Sequence, residues 1–253
     1  MTTFFRLLST IGLLTAAPDQ GKAVLERSIA AHGGLARFEA IRDWKIVARR
    51  ETDSGGSETY EEYLLRDQGG TRTLLLKRQA ESVLVFGHDG SRGFAVAEGT
   101  PRSDDGAEGE GYYRAHGEYY LRSLPFKWMD PGVEVAYAGA EDGFELLRVS
   151  ASENVGRAWE DVWVAVIDRD TGLLFEARLT HHRGGETWMN RQRNEVTEIT
   201  YRYSDYRDVD GLQIPFRMEY VSNGRKTGEN VIQSIDFDTG LTAEIFSPRA
   251  HLR

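Results

Sequence analysis

The sequence predicts a mainly β protein: one large, curved antiparallel sheet, an incomplete barrel of about eleven or twelve strands, wrapped around helical plug segments. Three observations predict it. Runs of alternating polarity recur along the chain, separated by turn pairs such as Asp89-Gly90, Asp142-Gly143, Asp210-Gly211 and Asn223-Gly224. Apolar residues at helical spacing are confined to two stretches, Gln20 to Ile41 and Gly111 to Gly132. A purely antiparallel sheet of this length must curl, and those two stretches are the only candidates to cover its inner face.

In chain order, Asp19 can cap a helix that begins near Gln20, with Val24, Leu25 and Ile29 as its apolar stripe. His32-Gly33-Gly34 interrupts it, and a glycine there suits the left-handed C′ position. Leu35, Phe38 and Ile41 continue at spacing three, predicting a second short helix. Trp44 opens the strands, with Trp44, Ile46 and Ala48 on one face. Ser57 to Leu65 follows, with Tyr60, Glu62 and Leu64 opposite Thr59, Glu61 and Tyr63. Arg72 to Gln79 and Ser82 to His88 pair across Ala80-Glu81, and Arg92 to Glu98 follows. Gly99 to Glu110 is polar and glycine-rich and reads as a surface loop. The aromatic stretch comes next, with Pro125 ending or kinking its helix.

After Gly132 the meander resumes. Trp159 to Asp168 is apolar on both faces, which predicts a central strand covered on both sides. Strands at Leu173 to His181, Glu195 to Asp205, Leu212 to Ser222 and Lys226 to Phe237 complete the sheet, with a polar loop carrying Trp188 before Glu195. No linker or internal repeat divides the chain, so residues 18–253 are expected to form a single domain.

Composition narrows the function. Of 253 residues, 40% are hydrophobic, ample for a core. A net charge of -9 disfavours nucleic acid as a partner. The absence of cysteine excludes disulfides, thiolate metal sites and a thioether lipid anchor. Residues 1–17 read as a signal peptide, with Arg6 before the apolar run Leu7 to Leu14 and small residues at Thr15-Ala16-Ala17; a docked N-terminal helix is the alternative. That run is too short to span a membrane.

No catalytic motif, metal cluster or cofactor-binding signature is present in the sequence, so no catalytic residue, metal ligand or cofactor is assigned. The six histidines are scattered, and adjacent His181 and His182 point to opposite faces of a strand. His32 ends a helix, where a protonated imidazole is favoured; it either caps that helix or touches a ligand. Glu118 is either an exposed residue of the inserted helix or a buried acid facing a ligand. The aromatic insertion carries the stronger signal. Tyr119, Tyr120, Leu124, Phe126, Trp128 and Met129, with Trp44, are the candidate lining of an apolar hollow between plug and sheet; the alternative role for them is core packing.

Several motifs together resemble a known family. They are Ala31-His32-Gly33-Gly34 closing a helix ahead of Trp44, Leu124-Pro125-Phe126, Asp130-Pro131-Gly132, Asp170-Thr171-Gly172-Leu173, and Tyr206 through Gly211-Leu212-Gln213-Ile214-Pro215. Between Gln20 and Pro248 the chain resembles exported bacterial proteins grouped with the outer-membrane lipoprotein-sorting superfamily, whose fold is that of the carriers LolA and LolB. The resemblance implies an incomplete barrel around a helical plug, a periplasmic or secreted location, and a carrier that shields an apolar small molecule, lipid or lipoprotein acyl chain, with an envelope protein as a partner. Without a cysteine, a LolB-like anchored receptor is excluded. Two other readings stay open: an enzyme that uses the hollow as a reaction chamber, and a non-catalytic envelope scaffold with a filled interior.

Overall fold

The computed structural model describes residues 18–79, 82–104, 106–152, 161–181 and 197–253. The expected signal at 1–17, the Ala80-Glu81 link, Trp159, His182 and Trp188 lie outside the described residues.

Helix α1 (Pro18–Ala31) and short helix α2 (Leu35–Ala40) precede the sheet. Val24, Leu25 and Ile29 form the buried stripe of α1. The Gly34 N–H donates to the Ile29 carbonyl and the Gly33 N–H to that of Ala30, with Gly33 at φ 103°, so Gly33 terminates α1 as a left-handed C′ residue. Five strands follow: β1 (Asp43–Thr52), β2 (Ser57–Asp67), β3 (Gly70–Gln79), β4 (Ser82–His88) and β5 (Gly93–Ala97). The stretch read as a surface loop instead contains a two-residue strand, β6 (Thr100–Pro101), and the first turn of helix α3 (Ala107–Arg122). A 3₁₀ turn at Phe126–Met129 follows Pro125. The remaining strands are β7 (Val133–Glu141), β8 (Phe144–Ala151), β9 (Val162–Asp168), β10 (Leu174–His181), β11 (Thr197–Val209), β12 (Leu212–Ser222) and β13 (Arg225–Phe237).

The thirteen strands form one antiparallel sheet in the order β6-β5-β4-β3-β2-β1-β13-β12-β11-β10-β9-β8-β7. Among the described residues only the seam between β1 and β13 joins strands distant in sequence, and β6 and β7 are the edges, so the barrel is incomplete. Buried Asp43 locks that seam. Its carboxylate accepts from the Thr239 N–H at 2.7 Å, the Thr239 hydroxyl at 2.8 Å, and the N–H groups of Gly240 and Leu241.

Each open flank carries a helix. The Cα of Gly21 in α1 packs on the β7 backbone, where a Cβ would lie 2.7 Å from the Tyr137 nitrogen. In α3 a Cβ on Gly111 would lie 2.1 Å from the Phe94 carbonyl oxygen of β5. Glycine is what lets both helices sit directly on strand backbone.

The main core fills the inner face and joins α1, α2 and α3 to the sheet. A smaller core of Leu65, Leu74, Val85, Val96 and Phe246 covers the outer face of β2 to β5 with the C-terminal 3₁₀ turns, a cover the sequence reading lacked. The strand expected to be central and doubly covered, β9, is instead third from the β7 edge. On its outer face Val166 is buried, while Val162 and Val164 are half-buried.

Candidate functional site

The aromatic stretch lies inside the curve of the sheet. Helix α3 packs on β2 to β5, and its C-terminal turn delivers Arg122 to the interior. The chain then turns through Leu124-Pro125 and sets Phe126 against α2, where its ring stacks on Phe38. Beneath this stack is a narrow apolar slot. Its walls are Trp44 and Ile46 of β1, Leu212 and Ile214 of β12, and Ile235 and Phe237 of β13; Phe38, Ile41 and Phe126 cover it and Arg122 lies at one side. Ile214, Ile235 and Phe237 are half-buried and form its mouth. The slot has a cavity volume of about 10 Å³, room for about one water.

The candidate lining residues divide in this frame. Trp44 and Phe126 line the slot. Tyr119 is buried against Trp44, with ring centroids 5.7 Å apart. Tyr120 points the other way along the interior and packs on Trp163 at 5.6 Å. Leu124 and Trp128 are buried in the core, and Met129 packs against it half-buried. The structure therefore places Trp44 and Phe126 at the slot, with Tyr119 packed against Trp44 but not on the wall, and leaves Tyr120, Leu124, Trp128 and Met129 outside the lining. Ile214, Ile235 and Phe237 were missed as lining because they lie on β12 and β13, far along the chain from the aromatic stretch.

His32 is buried rather than a charged cap. Its Nδ1–H faces the Ser28 carbonyl oxygen at 2.7 Å, its ring meets Phe126 and Tyr206 edge-on, and burial lowers its pKa to about 4, so the imidazole is neutral. It supports the cover of the slot from behind.

Beside the slot sits a buried cluster of charges. Glu118 is among them, so it is an interior acid and not an exposed residue of α3. Its Oε1 accepts from Arg50 Nη2 at 2.5 Å, and Arg50 also donates to the Tyr220 hydroxyl at 2.9 Å and to Asn230 Oδ1 at 2.9 Å. Arg122 donates to Glu62 Oε1 through Nε and Nη2, both at 3.3 Å, and to the Tyr60 hydroxyl at 3.2 Å. Lys77 donates to Glu58 at 2.8 Å. Burial favours the neutral form of Glu118, but Arg50, Arg122 and Lys77 outweigh it and hold the carboxyl below the usual range. Burial pushes the Glu62 carboxyl above that range, against the pull of Arg122. The signal for this cluster was in β2, where Tyr60 and Glu62 share the inward parity of Leu64. Among the described residues no group of three or more His, Asp and Glu is placed to hold a metal ion. None of the described helices is long and apolar enough to cross a membrane.

No family model and no curated protein matches this sequence. Solved structures do match its fold. One is a domain classed as an outer membrane lipoprotein-sorting protein from Vibrio parahaemolyticus, with 11% identity and a TM-score of 0.58 over 94% of this chain and 100% of that one. Another is a DUF1329 family protein from Desulfovibrio piger, with 12% identity and a TM-score of 0.55 over 91% of this chain and 98% of that one. The incomplete barrel is thus shared along nearly the whole chain with a lipoprotein-sorting domain, and at these identities the likeness is one of fold.

Proposed function

We propose that the protein binds an apolar ligand, a lipid or lipoprotein acyl chain, between the α2–Phe126 cover and strands β1, β12 and β13, and that it does so as an exported carrier. The observation that carries this reading is the slot itself, walled by Trp44, Ile46, Leu212, Ile214, Ile235 and Phe237 and roofed by two stacked phenylalanines. Each methylene buried there contributes about 0.8 kcal/mol, so a chain of moderate length binds without polar chemistry. Opening separates Phe38 from Phe126 and leaves the strands in place. In this reading residues 1–17 direct export, and an envelope protein delivers or receives the cargo.

Native mass spectrometry of the protein recovered from a cell-envelope fraction, followed by solvent extraction, tests the reading. A co-purifying lipid or lipoprotein is expected. A ligand-free mass together with no response to fluorescent fatty-acyl probes would overturn it.

A second reading, a reaction chamber, draws on the opposed shifts of Glu62, raised by burial, and Glu118, lowered by Arg50, Arg122 and Lys77, since two carboxyls whose proton affinities are pushed apart can act as acid and base. Recovery of the extracted ligand in a chemically altered form after incubation would favour it over simple carriage.

A further inference from the structure

We propose that the acyl ligand carries a neutral, hydroxyl-bearing head group, held where Arg122, Glu62 and Glu118 meet, with its chain in the adjoining slot. The inference rests on the binding function proposed above and adds the chemistry of the head.

Arg122 is the link, because it belongs both to the slot wall and to the charge cluster. Three polar atoms of that cluster have no hydrogen-bond partner among the described residues: Arg122 Nη1, Glu62 Oε2 and Glu118 Oε2. The residues that carry them are only 6%, 3% and 9% exposed. A buried polar atom left unsatisfied costs about 1–3 kcal/mol, and here one donor and two acceptors are left open in one cluster.

A head group that fits must accept from a guanidinium N–H and donate to carboxylate oxygens. A hydroxyl does both, and a glycerol head has two of them. A carboxylate or phosphate head only accepts, and would face two carboxylate oxygens. A trimethylammonium head has no N–H to donate, and a primary ammonium cannot accept from Arg122. Charge balance points the same way. Arg50, Lys77 and Arg122 offset Glu58, Glu62 and Glu118, so a neutral head preserves the balance while an ionic one adds an uncompensated buried charge.

The test holds the chain constant and varies the head. Monolaurin, dodecanol, laurate and dodecyltrimethylammonium are titrated into the full-length protein below their micellar concentrations, each displacing a fluorescent acyl probe. Monolaurin and dodecanol are expected to bind at least about tenfold more tightly than the two ionic amphiphiles, the factor that one such hydrogen-bonding difference yields. In Glu118→Gln, whose amide N–H can donate, the preference should move toward laurate. Equal affinity for all four heads, as when water completes the cluster, overturns the head-group inference and leaves the apolar carrier standing. Tightest binding of laurate in the wild-type protein also overturns it. Binding of none overturns both. The wild-type series decides the matter even if Glu118→Gln does not fold.

Discussion

Phe38 and Phe126 lie face to face, with ring centroids 4.3 Å apart and planes 4° from parallel. One ring belongs to the short N-terminal helix α2 and the other to the 3₁₀ turn after α3, so the stack joins two segments that have no strand in common. It is the roof of the slot, and the Arg66 guanidinium lies 4.3 Å from the centroid of Phe38. The same guanidinium donates to the Phe38 and Ile41 carbonyls, which ties the roof to β2.

Phe126→Ala and Trp128→Ala should separate binding from stability. Trp128 is 1% exposed and lies in the core away from the slot walls. Its truncation should cost about 3–5 kcal/mol in chemical denaturation, with the affinity of the remaining folded protein little changed. Phe126→Ala opens the roof, and the affinity for an acyl probe should change by more than the stability loss accounts for. Probe titrations at a temperature where both variants are folded make the comparison. Equal effects of both substitutions on affinity would place Phe126 in the core alone.

The Arg122–Glu62 pair gives a different test, because both side chains are almost wholly buried. Glu62→Leu leaves a buried guanidinium without its partner and should cost about 3–5 kcal/mol. Adding Arg122→Met removes the stranded charge and should recover much of that loss. Urea unfolding of the single and double variants measures it, and a double variant no more stable than the single one contradicts the account.

Two glycines of α3 make opposite predictions. A Cβ on Gly111 meets the Phe94 carbonyl oxygen at 2.1 Å, whereas nothing lies within 4 Å of one on Gly117. Gly117→Ala should therefore stabilise the protein by roughly 0.5–1 kcal/mol through helix propensity. Gly111→Ala must push α3 off β5 and should cost about 1–3 kcal/mol. Thermal or urea unfolding of the two variants side by side checks the sign of each.

The parts legible in the sequence were those specified locally. Asp142-Gly143, Asp210-Gly211 and Asn223-Gly224 all take positive φ at both residues, the requirement of the tight hairpin turn their residue types predict. Gly33 ends α1 for a similarly local reason. The curved, unclosed sheet follows from the number of hairpins and two helical covers. What was not legible depends on pairing across the chain. The β1–β13 seam brings Ile235 and Phe237 beside Ile46 and Trp44, and only that register makes a slot of them. The charge cluster was hidden for another reason. Tyr60 and Glu62 sit at inward positions of β2, but the partners that make a carboxylate tolerable there come from α3, β1 and β3, and no local pattern announces them. Phe246 likewise covers the outer face of β2 to β5 from the far end of the chain.

His32 should make stability depend on pH in a definite direction. Its imidazole is enclosed by the Ser28 carbonyl, the Tyr206 hydroxyl and the Phe126 ring, and burial lowers its pKa from 6.5 to about 4. A group with a depressed folded pKa binds its proton more readily in the unfolded chain. Its contribution is therefore present above pH 6.5 and is lost as pH falls toward 4. Between pH 7 and pH 5 the loss from this one residue should be about 2 kcal/mol. Carboxylates add their own acid sensitivity, so the informative quantity is the difference between wild type and His32→Gln, which has no titrating ring. Urea unfolding at several pH values should show the wild type losing about 2 kcal/mol more than the variant over that interval. Parallel slopes would mean that His32 takes up its proton in the folded state, and that the cover of the slot is open enough to let water reach it.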